Sequence, residues 1–542
     1  MNRPENLEHL ATATFDVAVI GGGITGAGIA LDAVTRGLSV ALLERDDFAS
    51  GTSSKSSKLV HGGLRYMQHA EFGLVHENNV ERDRLRRLAP HLVTPMRFVI
   101  PKFPGTKRMA LLRLGLVGYD VLAGFRNFAP HRHASAAAVS QMVPALPRQG
   151  LMGGLVYYDA QADDARLTVE IVKAAGRFGA CVANHARVVG VAKNMSGQAV
   201  GVDAEDTISG RAMTVRARQI VNATGVWADE VAHMVDPEIG RRLAPSKGVH
   251  LLFPSSLLPL RASVLAPSVR GDGRFVFVIP WGEQVIAGTT DTEYSGDLDR
   301  PTVEADDAAY IVEALRAMFG DRVALSNAVG CFAGLRPLLG AGRSAAAKDL
   351  SRRHSITRCS AGVLTITGGK LTTYRQMAEE AVDEVVRALG HGGRCVTGKV
   401  RLGLATDLAT TRREATALAS SYGLGRQAAD AVVRAQGDAY PEVMSLAAER
   451  DLRRPLLEGL PYLAAQALYA ARSEMACTLE DVLSRRMRVA LRARDAGASI
   501  AAEVAALVGE ELGWSPEVRD AQVVSYLAAV RGERGVMGDT VP

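Results

Sequence analysis

The stretch FDVAVIGGGITGAGIALDAVTRGLSVALLE, Phe15 to Glu44, decides the fold. Phe15–Ile20 is a short apolar run of the kind a buried parallel strand carries. Gly21, Gly23 and Gly26 follow with G-x-G-x-x-G spacing. Ile24 to Arg36 then keeps apolar residues on a helical period, and Gly37 stands where a helix-ending glycine belongs. Leu38–Leu43 reads as a second strand and closes on Glu44. In such a unit the first glycine permits the tight turn, the second lets backbone approach a pyrophosphate, and the third packs helix on strand. The helix N-terminus offers free N–H groups and a positive dipole end to phosphates. Glu44 follows Gly26 by 18 residues, near the spacing of an acid that holds ribose hydroxyls. The unit predicts a dinucleotide fold; a glycine-rich structural turn is the blander reading.

Working outward, Gly51 to Arg87 opens with small hydroxyl residues and glycine, suited to backbone lying close against a cofactor. Lys58, His61, Arg65 and Tyr66 cluster within nine residues, and interleaved Leu59, Val60 and Leu64 suggest burial rather than a solvated loop. From Phe72 the pattern is helical, with Glu81, Arg82, Asp83 and Arg84 expected as a solvated face. HENNV at His76 is not a zinc signature, because Val80 replaces the second histidine. Between Leu88 and Tyr158 the only acid is Asp120, against Arg97, Lys102, Lys107, Arg108, Arg113, Arg126, Arg132 and Arg148. Mixed with Leu, Val, Phe and Tyr, these cations suit a surface that meets anionic lipid and inserts apolar side chains shallowly. A core helix with basic ends is the other reading. No nucleic-acid-binding motif accompanies the patch.

Strand candidates follow at Gly154–Tyr158, Arg187–Val191 and Val215–Val221, the last running into the turn Asn222-Ala-Thr-Gly225 and so back to the nucleotide sheet. Ser246–Pro254 and Arg274–Tyr294 have β-type composition and predict an antiparallel sheet over the cofactor. Arg336 precedes a proline, and Val363–Leu389 reads as a strand, a Gly368-Gly369 turn and a long helix. Gly340-Ala-Gly342-Arg-Ser-Ala345 and Gly423-Leu-Gly425-Arg-Gln-Ala428 match G-x-G-x-x-A but open no strand–turn–helix unit. With no second nucleotide site, an enzyme using nicotinamide and flavin together is disfavoured. Beyond about Gly403 the composition turns helical, with Thr478 and Ser515 as N-caps. Ser473–Arg488, dense in opposite charges, is expected to form helix-surface ion pairs.

The chain has 542 residues, 47% hydrophobic and 22% charged, with a formal charge of +5, as expected of a globular protein of two or three domains. Five scattered cysteines without a C-x-x-C pair point to reduced thiols in a cytosolic setting, with no zinc site or disulfide framework. The first residues carry no apolar signal-peptide core, and Met109–Gly124, the longest apolar stretch, is broken by Arg113 and Asp120.

Several stretches together resemble the FAD-dependent glycerol-3-phosphate dehydrogenases: the opening glycine unit, TSSKSSKLVHGGLRY, YYDAQADDARL, NATGVWAD, SKGVHLLFP, FVIPWGEQVIAGTTDTEY, FAGLRPLL, ITGGKLTTYRQMA and EMACTLEDVLSRRMR. They run in the family's order from about Phe15 to Arg488, without a calcium-binding loop, so the bacterial form is the better match. The resemblance implies an α/β fold: a Rossmann-like FAD-binding domain of the glutathione-reductase/D-amino-acid-oxidase type, an antiparallel substrate sheet, and a C-terminal all-α domain. Residues 1–402 would form the FAD-binding and substrate domain and 403–542 the helical domain. The FAD part would take about 15–100, 153–245 and 330–390, the substrate sheet mainly 246–330, with a basic segment at about 97–150.

The implied reaction is oxidation of sn-glycerol 3-phosphate to dihydroxyacetone phosphate with reduction of non-covalently held FAD. The implied electron acceptor is a membrane quinone, reached from the cytoplasmic face by a peripheral protein that binds no metal and for which a homodimer is the expected assembly. The expected cofactor contacts begin with Gly21, Gly22, Gly23, Ile24, Thr25 and Gly26, then Glu44 and Arg45. Thr52, Ser53, Ser54, Ser57, Lys58, His61 and Gly62 follow. Val188, Ala223, Thr224, Gly225 and Trp227 come from the middle of the chain, and Gly368, Gly369, Lys370, Leu371 and Thr372 from the last turn. Arg336 is expected on the substrate phosphate, with Arg352 or Lys370 assisting, because arginine presents a planar fork to phosphoryl oxygens. His250 is the candidate base, with a buried core histidine as the alternative. Arg65 and Tyr66 are placed at the alkoxide, and Lys370 with the Gly368-Gly369 turn beside the flavin. The rivals are an oxygen-using glycerol-3-phosphate oxidase, an amine or amino-acid oxidase of the same fold, and a non-catalytic flavoprotein.

Overall fold

The computed structural model describes residues 1–69, 71–106, 109–124, 126–340 and 354–538, with the backbone alone for Arg65, Gln68 and His69. Arg352 therefore lies outside the described residues. Two sheets and a helical domain organise the chain. In the first sheet Thr14–Ile20 runs parallel between Val40–Leu43 and Ala212–Asn222. Leu364–Thr367 continues it beyond Ala212–Asn222, and Cys181–Ala183 beyond Val40–Leu43. Val17, Ala18 and Val19 are wholly buried, as a central parallel strand covered on both faces requires. The helices Ile24–Thr35, Asp164–Arg177 and Tyr374–Leu389 pack together against this sheet. Gly28 allows the close approach: a Cβ there would lie 2.8 Å from the Tyr374 ring.

The second sheet has ten strands and is built largely from antiparallel pairs. It corrects two stretches assigned from sequence to the nucleotide part. Gly153–Ala162 precedes a helix and looks like a parallel βαβ element, yet it pairs antiparallel with Val93–Lys102 over ten residue pairs. Gly330–Arg336 likewise joins the second sheet, antiparallel to Ser246–Pro254. The alternating pattern needed to distinguish these strands is hidden because both faces are covered: every residue from Ala328 through Leu335 is buried, Cys331, Phe332 and Ala333 among them.

The expected solvated face on Phe72–Leu88 is partly internal. Glu81 takes both nitrogens of the Arg375 fork at 2.9 and 2.8 Å, and Arg82 is buried against Asp159 at 2.5 Å. Charge density in the sequence does not reveal partners that lie 77 or 294 residues away.

Beyond the segment that passes Leu402, whose N–H donates to the Leu88 carbonyl, the chain is helical through Pro516–Arg534. Here the expected surface pairs of Ser473–Arg488 prove to be a buried seam between the domains. Asp47 accepts from Arg485 at 2.6 Å and from Arg486 at 2.7 and 2.8 Å. Glu474 receives both arms of Arg166 at 2.7 Å, Asp481 meets His185 at 2.9 Å, and Arg488 meets Asp164 at 2.8 Å. Burial alone would raise the Glu474 carboxyl, but Arg166 and Lys173 hold it down at about 2. Helical spacing suggested neighbours on one helix, and Arg485 does meet Asp481 at 2.6 Å and Glu480 at 2.8 Å there; the other opposite charges come from the nucleotide domain.

Such pairs add little net stability over an apolar seam, but removing one partner strands a buried charge at a cost of about 3–5 kcal/mol. Asp47→Ala, which removes the carboxylate hydrogen-bonded to buried Arg486 and one of the three that Arg485 meets, is expected to lower unfolding stability by about that amount. Urea titration of the FAD-loaded protein checks it, and an unchanged midpoint would contradict the seam's role.

Candidate functional site

The glycine turn forms one wall of a cleft of about 230 Å³. Gly21 has φ +106°, and a Cβ there would sit 2.8 Å from the Ala223 carbonyl, where the two parallel strands end side by side. Gly26 is tighter still, its absent Cβ falling 1.9 Å from the Gly21 carbonyl. Glu44, at the end of its strand, accepts from the Gly22 N–H at 2.6 Å and the Asp46 N–H at 2.9 Å. Burial pushes its carboxyl up to about 7. Ser53 caps the glycine-turn helix by accepting from the Ile24 N–H at 2.8 Å. Arg45 stacks on Trp227 at 4.4 Å, and both bond to Asp299. Val188 and Arg187 line one end of the cleft, and Gly368, Gly369, Lys370 and Leu371 the other.

A second cleft, of about 220 Å³, lies against the antiparallel sheet. Its position follows from strand register. Ser246 pairs with Arg336, Gly248 with Gly334 and His250 with Phe332. Alternate residues share a face, so His250 and Arg336 emerge on the same side. Glycines at 248 and 334 leave room between them; a Cβ on Gly248 would meet the Arg336 guanidinium at 2.5 Å. Arg336 is held by Asp291 at 3.3 Å, Ser246 at 3.4 Å, Thr289 at 3.1 Å and the Thr290 carbonyl at 3.2 Å. His250 stacks on Phe332 with 4.7 Å between ring centres, and its Nε2 shares a 2.8 Å hydrogen bond with Ser57 Oγ. Burial first, then the Arg336 and Lys58 cations, pulls its imidazole down to about 3. The Lys370 ammonium lies 3.7 Å from the centre of the Tyr66 ring. His61 and Thr372 complete the lining.

The two clefts meet: Thr52, Pro337 and the turn Gly368–Leu371 line both. Among the expected cofactor contacts, Gly21, Gly23, Ile24, Thr25, Glu44, Arg45, Thr52, Ser53, Val188, Ala223, Thr224, Gly225 and Trp227 line the first cleft. Ser57, His61 and Thr372 line the second. Others serve the frame instead. Gly22 is walled off by Phe48 and Glu44, and Gly26 packs on Gly21. Ser54 gives its carbonyl to Lys58 and Arg488. Lys58 is wholly buried on Asp164 at 2.8 Å and reaches neither cleft; it was expected among the cofactor contacts because its acid is 106 residues away. Gly62 donates its N–H to Asp159 at 2.9 Å. The Arg65 side chain lies outside the described residues. Sequence reading missed Asp291, Thr289 and Thr290, which orient Arg336, and Phe332 beneath His250. Glycines inside two predicted strands were the available signal, since such glycines mark close approach. Among the described residues no group of three His, Cys, Asp or Glu could hold a metal.

A family model described as "FAD dependent oxidoreductase" matches residues 16–375, and one described as "C-terminal domain of alpha-glycerophosphate oxidase" matches 395–519. The chain is 39% identical over 532 residues to glycerol-3-phosphate dehydrogenase 2 of Mycobacterium tuberculosis, covering 97% of this chain and 90% of that protein. It belongs to the FAD-dependent glycerol-3-phosphate dehydrogenases. The glycerol-3-phosphate dehydrogenase of Bacillus halodurans, solved with FAD, superposes with a TM-score of 0.82 at 30% identity, over 98% of this chain and 97% of that one. The L-α-glycerophosphate oxidase of Mycoplasma pneumoniae, at 18% identity and a TM-score of 0.53 over 71% of this chain and 97% of that one, shares the fold. As in other FAD-dependent glycerol-3-phosphate dehydrogenases, the cofactor is FAD, and the first cleft fits it. The glycine turn admits no side chain, as the close approach of a pyrophosphate requires, a helix begins directly after Gly23, and Glu44 lines the cleft at the end of its strand.

The depressed imidazole has a consequence for stability. The unfolded state takes up a proton as pH falls through 6.5, while folded His250 stays neutral down to about 3. Stability attributable to this group is therefore fully present above 6.5 and declines by about 1.4 kcal/mol per pH unit below it. His250→Gln is expected to flatten the acid limb of the unfolding curve by one proton; an unaltered slope in urea titrations at stepped pH would contradict this.

Proposed function

We propose that this chain oxidises sn-glycerol 3-phosphate to dihydroxyacetone phosphate in the second cleft and passes the electrons to a membrane quinone. The single observation carrying this reading is that the cleft holding His250, Arg336 and Lys370 opens onto the FAD cleft at the Gly368–Leu371 turn. FAD, bound there, supplies the acceptor for the hydride leaving the substrate's secondary carbon. Arg336 offers a fork preset by Asp291 and the Thr289–Thr290 pair, so little side-chain freedom is lost when a phosphate arrives. His250 Nε2 takes the hydroxyl proton. Its neutral form is the one present at neutral pH, and a phosphate dianion beside Arg336 offsets the cation that weakens it as a base. Lys370, over Tyr66, places positive charge where the developing alkoxide and the reduced cofactor both need it. Glycine or sarcosine would present a carboxylate to the same cations but has no phosphate for a fork so positioned.

The acceptor is proposed from the surface. On the helix Met109–Ala123, Leu116, Tyr119 and Ala123 are buried while Leu111, Leu114, Val117 and Val121 are exposed, so a core helix with basic ends does not describe it. Arg97, Arg113, Arg126, Arg132 and Arg148 are exposed along the same span. Its one acid, Asp120, is occupied by His131 and Asn127 at 2.6 Å each. Exposed leucines and valines on a span with five exposed arginines and one occupied acid suit shallow insertion into anionic lipid, and they favour a lipid-dissolved quinone over oxygen. No helix among the described residues is long and apolar enough to cross a membrane, which agrees with peripheral attachment at the cytoplasmic face.

Arg336→Ala is expected to raise KM for glycerol 3-phosphate by about 30- to 3,000-fold, the equivalent of about 2–5 kcal/mol. Unchanged KM and kcat would remove Arg336 from the site. Vesicles containing phosphatidylglycerol should sediment the protein at low salt and release it at high salt, with Leu114→Glu weakening capture. Equal sedimentation with neutral vesicles would count against the lipid-facing role.

A further inference from the structure

The exposed helix Met109–Ala123 has an inner face, and that face packs on residues that lead to the substrate cleft. Tyr119 is wholly buried, and its hydroxyl donates to Asp159 Oδ1 at 2.7 Å. The same oxygen accepts from the Gly62 N–H at 2.9 Å and from Arg82 at 2.5 Å. One carboxylate oxygen thus joins the outer helix, the Phe72–Leu88 helix and the His61–Gly63 loop. Contact at Gly62 is direct as well, since a Cβ there would lie 2.2 Å from the Tyr119 hydroxyl oxygen. His61 then carries the link onward. Its N–H donates to Thr372 Oγ1 at 3.2 Å, and the Thr372 hydroxyl donates back to the His61 carbonyl at 3.4 Å. Thr372 belongs to the turn that bears Lys370, and His61, Lys370 and Thr372 all line the substrate cleft.

A second, apolar connection runs in parallel. Tyr119 shares a small core with Tyr66, Leu74 and Val75, packed by Leu64, Met67 and Leu122. Tyr66 is the ring beneath the Lys370 ammonium. A shift of the outer helix must therefore move the Tyr66 ring and the Gly62 N–H, or break a fully buried hydrogen bond. Buried polar networks are worth most when every member is satisfied and cost most when one is lost, so movement as a unit is the cheaper response.

From this geometry we propose that Tyr119 and Asp159 are positioning residues that couple the lipid-facing side of Met109–Ala123 to the His61–Gly63 loop and the Lys370–Thr372 turn. The coupling rests on the lipid-facing reading given above. Free in water, the helix presents four apolar side chains with nothing to hold them. Docked, it is fixed, and through Asp159 it fixes Gly62, His61 and Thr372 before substrate arrives. Ordering of the cleft in advance lowers the cost of substrate binding. The membrane would then tighten the grip on substrate without touching it.

The test uses the FAD-loaded full chain, vesicles of equal parts phosphatidylglycerol and phosphatidylcholine, and a water-soluble dye as acceptor, so that lipid supplies no quinone. Sedimentation is measured alongside rates. Vesicles are expected to lower the wild-type KM for glycerol 3-phosphate by about fivefold or more, the size of an ordinary coupling. Tyr119→Phe keeps the ring and loses the hydroxyl; it should sediment equally well while its KM response falls below about half of that on a logarithmic scale. Asp159→Asn should show the same loss. A full response in Tyr119→Phe would overturn the coupling, as would a wild type that sediments yet shows no change in KM. A wild type that does not sediment would bring down the lipid-facing reading, and this proposal with it. If Tyr119→Phe loses its flavin, amide exchange in the wild-type His61–Gly63 segment decides: slower with vesicles in support, unchanged against.

Discussion

Two strands running antiparallel with Ser246 opposite Arg336 set the chemistry of this molecule. That register puts an imidazole and a guanidinium on one face, separates them by a glycine on each strand, and turns them toward the Gly368–Leu371 turn where the cofactor cleft ends. A slip of one residue in either strand would send its side chain to the opposite face and part the pair. Neither group could be moved to a loop without losing what makes it useful. His250 stays neutral because it is buried and lies near Arg336 and Lys58. Arg336 stays aimed because Asp291, Ser246 and the Thr289–Thr290 pair hold its fork.

Much of the rest keeps those strands fixed against the nucleotide sheet. Lys58, Asp164 and Arg488 form a buried triad in which two cations share one carboxylate oxygen. Lys58 follows directly on Ser57, which holds His250, so the helical domain, through Arg488, reaches the residue next to the one that bonds His250, the proposed base. Asp47, three residues past Glu44, is clasped by Arg485 and Arg486. The C-terminal domain thus braces both the Glu44 end of the cofactor cleft and the loop beside His250, which gives it a structural bearing on the site although it lines neither cleft.

What could be read in the sequence, and what could not, divides along physical lines. The glycine turn, its flanking strands and Glu44 are local, and local spacing dictates them. His250 and Arg336 were identifiable because strand composition and family resemblance converge on them. Asp291, Phe332 and Gly334 were not, because their parts in the site depend on which strands become neighbours. Lys58 was taken for a cofactor contact, and Arg82 and most of the Ser473–Arg488 charges for solvated groups, for a related reason: their partners lie far along the chain. The Gly153–Ala162 strand was assigned to the wrong sheet because a strand followed by a helix has the same local pattern in either topology.

The central claim is that a bound flavin takes two electrons from an alcohol recognised through its phosphate. Anaerobic mixing of the yellow protein with glycerol 3-phosphate, glycerol, sarcosine and glycine in separate cells tests it most directly. The visible flavin band should bleach with glycerol 3-phosphate and hold with the other three. A protein that stays colourless when supplied with FAD, or one that only an amino acid can bleach, would contradict the account.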